Sequence, residues 1–560
     1  MRITKLHFIL FLLIIALSAC SNNAGQSSGF ELDGDSSAPI ESSVHEEVEE
    51  SEPVVVATND AYIDTSGWCP KFLQLLRTLH TPDGHGLFAS GNRLIPEYAA
   101  QITDLWGHGV PEFTSLEGIQ YFTGLERLRI NHVTRGSLTE LDLSHNTALR
   151  ELYAKSHRIR TLNVSNNPAL EIIDLSFNVL TELDLSGAPA LKHLDLHQNM
   201  ELISLNISNN IELERVDIWN TRLTTLDLSN NVRLQSLRAT ANRLISLDVS
   251  NNTELTFLEV GGGNRLDVLD VSNNPALTSL GVAGNNLTSL DISSNTALKN
   301  LVASGNSIAS LDVSNNTALT LLNVGGNSLS SLDVSNNTAL TSLNVGSNSL
   351  TSLDLSNNTA LTSLTIFGNS SLTSLDVLSN VALTSLDVRS NSLASLDVSN
   401  NTQLIFLYID NNQLTILDVS KNSELQELSV SHNQLISLDI SNNSWLRELN
   451  AQHNNIASFN APKTTELWVI DMQHNNLASL DVSGIKALQV LEAGHNQLTS
   501  LDVSSNTGLR RLNVEYNNMY SPDDVIGWQQ TELSLKPEDN DEGRYDFFFW
   551  PQRTFNDSDD

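Results

Sequence analysis

The chain has 560 residues, with 65 Asp+Glu against 30 Lys+Arg and a formal net charge of −35. Cores stop growing near ~250–300 residues, so that length predicts several domains or a repeat array. The shortage of bases argues against nucleic acid as a partner, and two cysteines exclude a disulfide scaffold.

The first residues, MRITKLHFILFLLIIALSAC, read as an address. Arg2 and Lys5 precede an apolar run from His7 to Ala16 that is too short for a comfortable membrane span. The run ends in Leu17-Ser18-Ala19-Cys20. This segment resembles the lipobox of bacterial lipoprotein precursors. The resemblance implies removal of residues 1–19, lipidation of Cys20 (palmitate or a similar chain) and attachment to the cell envelope, at the outer membrane or cell surface. Residues 20–60 then carry the lipid and a tether. Ser21 to Asp60 holds 10 acidic residues and no Lys or Arg, a composition that cannot bury enough apolar surface to order itself.

Self-similarity dominates the rest. LDLSHN begins at Leu141, and equivalent positions recur at 162, 183, 205, 226, 247, 269, 290, 311, 332, 353, 375, 396, 417, 438, 459, 480 and 501. The step is 21 residues, with three steps of 22. Midway lies a second element, as in Leu343-Asn344-Val345-Gly346-Ser347-Asn348. L-x-V alternation puts two apolar side chains on one strand face with a solvated residue between them. The Asn five residues after the strand leucine is placed to bond turn backbone that would otherwise be buried unpaired. One such coil cannot bury its own leucines, but stacked coils share an apolar column.

With these residues the chain resembles the bacterial leucine-rich-repeat proteins, specifically the internalin-like class with an irregular 21-residue repeat, over about Leu125–Asn517. The resemblance implies a leucine-rich-repeat solenoid of the α/β horseshoe class, here β-rich with parallel strands on both halves of each turn and little helix, capped at both ends. Residues 61–124 match the N-terminal cap, with helices expected over Pro70–His80 and Pro96–Leu105. Thr81-Pro82-Asp83-Gly84-His85-Gly86 stands where related caps carry a calcium-type loop and lacks those ligands. Residues 518–560 match the C-terminal cap, whose aromatic run Asp546-Phe547-Phe548-Phe549-Trp550-Pro551-Gln552-Arg553 would cover the last exposed edge.

In this fold the first strand of each turn lines the concave face, so the solvated positions around its leucine are the candidate ligand contacts. From Leu280 to Leu343 they are bland: Ser279, Gly281, Ala283, Asn300, Val302 and Ser304 are typical. From Leu194 to Leu258 they are His193, Asp195, His197, Arg215, Asp217, Trp219, Arg238, Phe257 and Glu259. Mixed charge with aromatics is the composition of a recognition patch. Phe367, Asp387, Arg389, Phe406, Tyr408 and Asp410 form a second, weaker one. Long side chains that merely cover the sheet are the bland alternative for both.

His193, Asp195 and His197 share one strand face and are of a type that binds Zn²⁺ or Fe²⁺, with Asp174 and Asp217 a turn away on either side. A solvated binding face accounts for them equally, so no metal is assigned. His432, His453, His474 and His495 recur every 21 residues; duplication of one repeat explains the row, and stacked imidazoles that hold metal or sense pH are the alternative. In the L-D-V half, Asp stands in 15 of 18 turns, the exceptions being Asn163, Asn206 and Asn460. Local hydrogen bonds from the following Ser and Asn are the preferred reading, with a row of Ca²⁺ as the alternative. No G-x-S-x-G elbow, H-E-x-x-H helix or C-x-x-C pair occurs.

The sequence therefore points to a non-enzymatic, monomeric cell-surface binding protein without cofactor. It would recognise a protein or glycan through the concave face, probing adhesion as the function the resemblance implies. A structural envelope spacer without a specific ligand is the alternative.

Overall fold

The computed structural model describes residues 62–89, 91–107, 113–133, 136–461, 466–535 and 546–552. Cys20, the signal run, the acidic stretch to Asp60 and Arg553 lie outside the described residues.

The described residues form a stacked series of coils, most of which donate one three-residue strand to a single parallel sheet. In each turn the central residue, leucine in most and Ile173, Val216 or Ile470 in others, faces inward and sits in register with its counterparts: Leu343 lies between Leu322 and Leu364. The sheet starts at Asp104–Trp106, continues through Arg127–Arg129 and Glu151–Tyr153, and reaches Arg511–Asn513. Leu340, Leu343, Val345, Leu350 and Leu355 of one turn are all essentially inaccessible to solvent. Each such side chain stabilises by about 1.5–3 kcal/mol on burial, but only because the turns above and below close the column.

Polar backbone inside the column is satisfied by asparagine. Asn348 accepts from the Leu329 N–H at 3.0 Å and donates to the Val324 and Val345 carbonyls. A second row donates across the other corner: Asn337 Nδ2 reaches the Val313 and Asn316 carbonyls, both at 2.9 Å. The backbone reverses one residue before the first of these rows, in the left-handed region. Gly284, Gly305 and Gly326 hold that position at φ 65°, and Ser347 (52°), Phe177 (58°) and His432 (52°) hold it elsewhere. Glycine takes this conformation freely; a ring-bearing side chain does so at a cost.

The ends differ from the sequence expectation in detail. The first helix stops at Pro70–Leu76, where Thr78 Oγ1 donates back to the Leu75 carbonyl. The second is only Pro96–Ala99. The expected continuation to Leu105 is instead the first sheet strand, because Leu105 is needed as the buried first rung beneath Leu128. The Trp68 ring packs directly over Gly118, φ 101°, where a Cβ would stand 2.2 Å from it. At the far end Asp546–Phe548 pairs with Arg511–Asn513, and Ser534–Leu535 lies outside it.

Strands on the second half of each turn are fewer than the resemblance implies. Among the described residues they pair only at Glu140–Asp142 with Thr161–Asn163, Glu182–Asp184 with Ser204–Asn206, Ser437–Asp439 with Ser458–Asn460, and Leu501–Asp502 with Val525–Ile526. These are the places where an Asp rung is followed by Asn or by an apolar residue. Asn206 Nδ2 donates to Asp184 Oδ1 at 2.9 Å, and Asn460 Nδ2 to Asp439 Oδ1 at 3.2 Å. Where Asp follows Asp, unit charges one rung apart repel by about 0.9 kcal/mol in water, and no ladder closes. In paired and unpaired turns alike the Asp binds its own chain: Asp142 and Asp439 accept from the N–H of Ser144 and Ser441, and Asp312 and Asp333 from the N–H of Ser314 and Ser335. Ser314 and Ser335 hold the Asp312 and Asp333 carboxyls below the usual carboxylate range.

Candidate functional site

Three rows of solvated positions run along the concave sheet, before, after and three residues beyond each central leucine. Between Trp106 and Glu259 they carry rings and charges in close succession. Arg129 lies 5.8 Å over the Tyr153 ring and pairs with Glu151 at 3.0 Å. Lys155 Nζ sits 5.1 Å over Phe177, and Phe177 meets His197 edge-on at 4.8 Å. His197 in turn stacks towards Trp219 at 6.0 Å. Arg238 lies 5.7 Å over Phe257, its Nε donating to Glu259 at 2.8 Å. The result is a ridge of cation and ring groups over successive turns, Arg129 with Tyr153, Lys155 with Phe177, His197 and Trp219, and Arg238 with Phe257. Trp106, Phe177 and Trp219 remain 63%, 44% and 37% exposed.

All nine residues of the first sequence patch stand on this face. Arg215 is exposed and has no ion-pair partner among the described residues. His193 is half-buried, with its Nδ1 shielded and unbonded. Asp195, His197 and Asp217 come together: His197 Nδ1 lies 2.6 Å from Asp195 Oδ1, and one ligand-type atom from each of the three falls within 4.8 Å of the others. His193, a sequence candidate for that cluster, is not in it; Asp217 takes its place. Asp217 is the register partner of Asp195 on the next strand, whereas His193 keeps its Nδ1 shielded and turned to no partner. Asp174 is engaged by Ser176 through both N–H and Oγ. The Asp195 hydrogen bond raises the His197 pKa, while burial raises that of Asp217.

The sequence map began one segment too late. Arg129, Tyr153 and Lys155 occupy the same rows in earlier turns and were legible there. Phe177 was not, because it stands at the left-handed turn position, where side chains are ordinarily small.

The second patch is closed upon itself. Arg389 grips Asp387 with two hydrogen bonds of 2.9 and 2.6 Å and lies 5.3 Å from the Tyr408 ring. Tyr408 donates to Glu427, and Asp410 accepts from Ser429 and Ser431. Phe367 folds over Gly346, and Phe406 is half-buried. Its polar groups have little left to offer a ligand.

Further along, His432, His453, His474 and His495 stack at 4.3, 4.1 and 4.0 Å, and Tyr516 continues the column at 4.2 Å. The rings lie within 30° of parallel, and among the described residues they are not part of any group of three or more ligand-type side chains close enough to share an ion. Burial, then His474 and His432, pushes the His453 pKa down. Folding thus favours neutral His453: its contribution is complete above the unfolded value of ~6.5 and is lost as pH falls through the folded value. Lowering pH from 7.5 to 5.5 should therefore lower the amide protection factors, taken relative to the pH-dependent intrinsic exchange rate, in the 432–516 turns. The shift should shrink in His453→Asn, since Asn411 already holds the equivalent position at φ 56°.

No protein-family model matches the sequence, and no curated protein matches it. Among solved structures, the functional domain of InlJ from Listeria monocytogenes, which includes a cysteine ladder, is similar at 30% identity with a TM-score of 0.57, over 68% of this chain and 78% of that one. YopM from Yersinia enterocolitica is similar at 24% identity and TM-score 0.55, over 76% of this chain and 90% of that one. The plant peptide hormone receptor RGFR1, in complex with RGF2, is similar at 18% identity and TM-score 0.50, over 73% and 88%.

Proposed function

Since the chain belongs to the leucine-rich-repeat proteins and has an internalin-like fold, we propose that it is a non-enzymatic binding protein of the bacterial cell envelope. A protein partner would dock on the ridge from Trp106 to Glu259. The observation that carries this reading is the contrast along one sheet. The ridge exposes rings and an Arg215 without an ion-pair partner among the described residues, whereas the outward positions of the strands Ser279–Gly281 to Ser342–Asn344 are uncharged and carry no ring. Aromatic and Arg anchors in a charged surround are the residues that dominate protein interfaces. The acidic balance of the whole chain favours a partner with a basic rim.

Anchoring through lipidated Cys20, a solvated tether and adhesion as the outcome of binding are parts of the same proposal. A monomer suffices for it, and neither a cofactor nor calcium is needed. The bland central turns favour a second reading, in which the array is a spacer that holds something else away from the envelope. Cells carrying Trp219→Ala/Arg238→Ala separate the two. The binding reading expects attachment to a ligand-bearing surface to fall, and unchanged attachment would favour the spacer.

A further inference from the structure

We propose that Asp195, His197 and Asp217 form a site for one divalent transition-metal ion, best matched to Zn²⁺, on the concave sheet. The proposal concerns the chain by itself and does not depend on the partner.

The first argument is electrostatic. Asp174, Asp195 and Asp217 lie in register on three adjacent parallel strands. Like charges directly opposite one another destabilise a sheet unless something offsets them. Asp174 is satisfied by Ser176, as above. Asp195 accepts on Oδ1 from the His197 N–H and faces its Nδ1, and Asp217 accepts on Oδ1 from the Trp219 N–H. The nearest arginine, Arg238, reaches Asp217 Oδ2 only at 3.5 Å and spends its Nε on Glu259. Two carboxylates therefore converge beside one imidazole, and Arg238 meets only the outer side of Asp217, leaving no cation among the described residues between the two acids.

The second argument is preorganisation. His197 is held between the Phe177 edge and the Trp219 face, so the imidazole enters the site with little orientational freedom to lose. Both Asp backbones are fixed by the ladder, and the following residues clamp their carboxylates. Ligand bonds of ~2.0–2.2 Å in a tetrahedron put ligand atoms about 3.3 Å apart. The three atoms, already within 4.8 Å of one another, need small shifts only, and the Nδ1–Oδ1 pair opens from 2.6 Å. One nitrogen and two oxygens with water completing the shell suit Zn²⁺ better than Mg²⁺ or Ca²⁺, which take six or more oxygens.

Binding displaces the proton shared by His197 and Asp195: the ion enters and the proton leaves to solvent. Isothermal titration of the metal-free full chain with ZnCl₂ at pH 6.5, in buffers of different ionisation enthalpy, reads stoichiometry and proton release together. The expected result is one saturable ion with proton release, weakened at least tenfold in both His197→Gln and Asp217→Asn. His474→Asn should leave it unchanged, which separates this site from the imidazole column. Melting curves of each variant check that the array remains folded. Equal Zn²⁺ binding in wild type and both site variants, no saturable binding, or tighter binding of Ca²⁺ than Zn²⁺ would overturn the proposal.

Discussion

Asn348→Ala is expected to destabilise the array by about 3–5 kcal/mol, more than any surface substitution. The alanine removes two donated bonds and leaves the Leu329 N–H, which is buried and bonds only Asn348 Oδ1, with no acceptor. An orphaned buried donor costs about 1–3 kcal/mol, the two lost bonds about 1 kcal/mol each, and the space left adds to both. Ser349, the next residue, is exposed, so Ser349→Ala should stay within about 0.5 kcal/mol of wild type. Urea unfolding of both variants makes the comparison. Because a repeat array couples mainly to its neighbours, amide exchange should rise first in the turns flanking Asn348. Equal midpoints for the two variants would refute the role given to the asparagine row.

Removing the aromatic plug should do comparable damage at one end. Phe547 is fully buried, stands in register with Leu512, and packs 5.2 Å from Trp528. Phe547→Ala should cost about 3–5 kcal/mol and expose the edge of Arg511–Asn513 to pairing with other chains. Earlier unfolding of the terminal turns and concentration-dependent aggregation are the expected signs. An unchanged melting profile at all concentrations would mean that the last turn is covered by something other than this strand.

Both effects come from features visible in the sequence. The leucine spacing gave the column, and the asparagines recurring in most of the copies, with Thr221, Ala188 and Ile485 among the exceptions, marked the polar positions a buried backbone requires. What stayed hidden depends on register. Asp439 and Asn460 are 21 residues apart, and only stacking reveals that the Asn of the later turn donates to the Asp of the earlier one where the second halves pair. The same holds on the concave face. Asp217 joins Asp195 and His197 because register across the ladder sets it beside Asp195, 22 residues away in sequence, while the Nδ1 of His193 stays shielded. Arg389 looked available for a ligand until its carboxylate partner two residues earlier was seen to hold it. Phe177 was masked by its unusual backbone position.

The central claim is that recognition is confined to the ridge from Trp106 to Glu259. It is tested most directly by capturing surface ligands with the wild-type chain and measuring the affinity of the captured protein for three variants. Trp219→Ala/Arg238→Ala removes two anchors of the ridge, Tyr408→Ala alters the second patch, and Asn323→Ala/Asn344→Ala alters the bland centre. Anchor residues typically contribute 2 kcal/mol or more, so the first variant should lose at least about 30-fold in affinity while the other two stay within about threefold of wild type. Equal affinity for all three variants, or a loss confined to the Tyr408 or Asn323/Asn344 changes, would contradict the account.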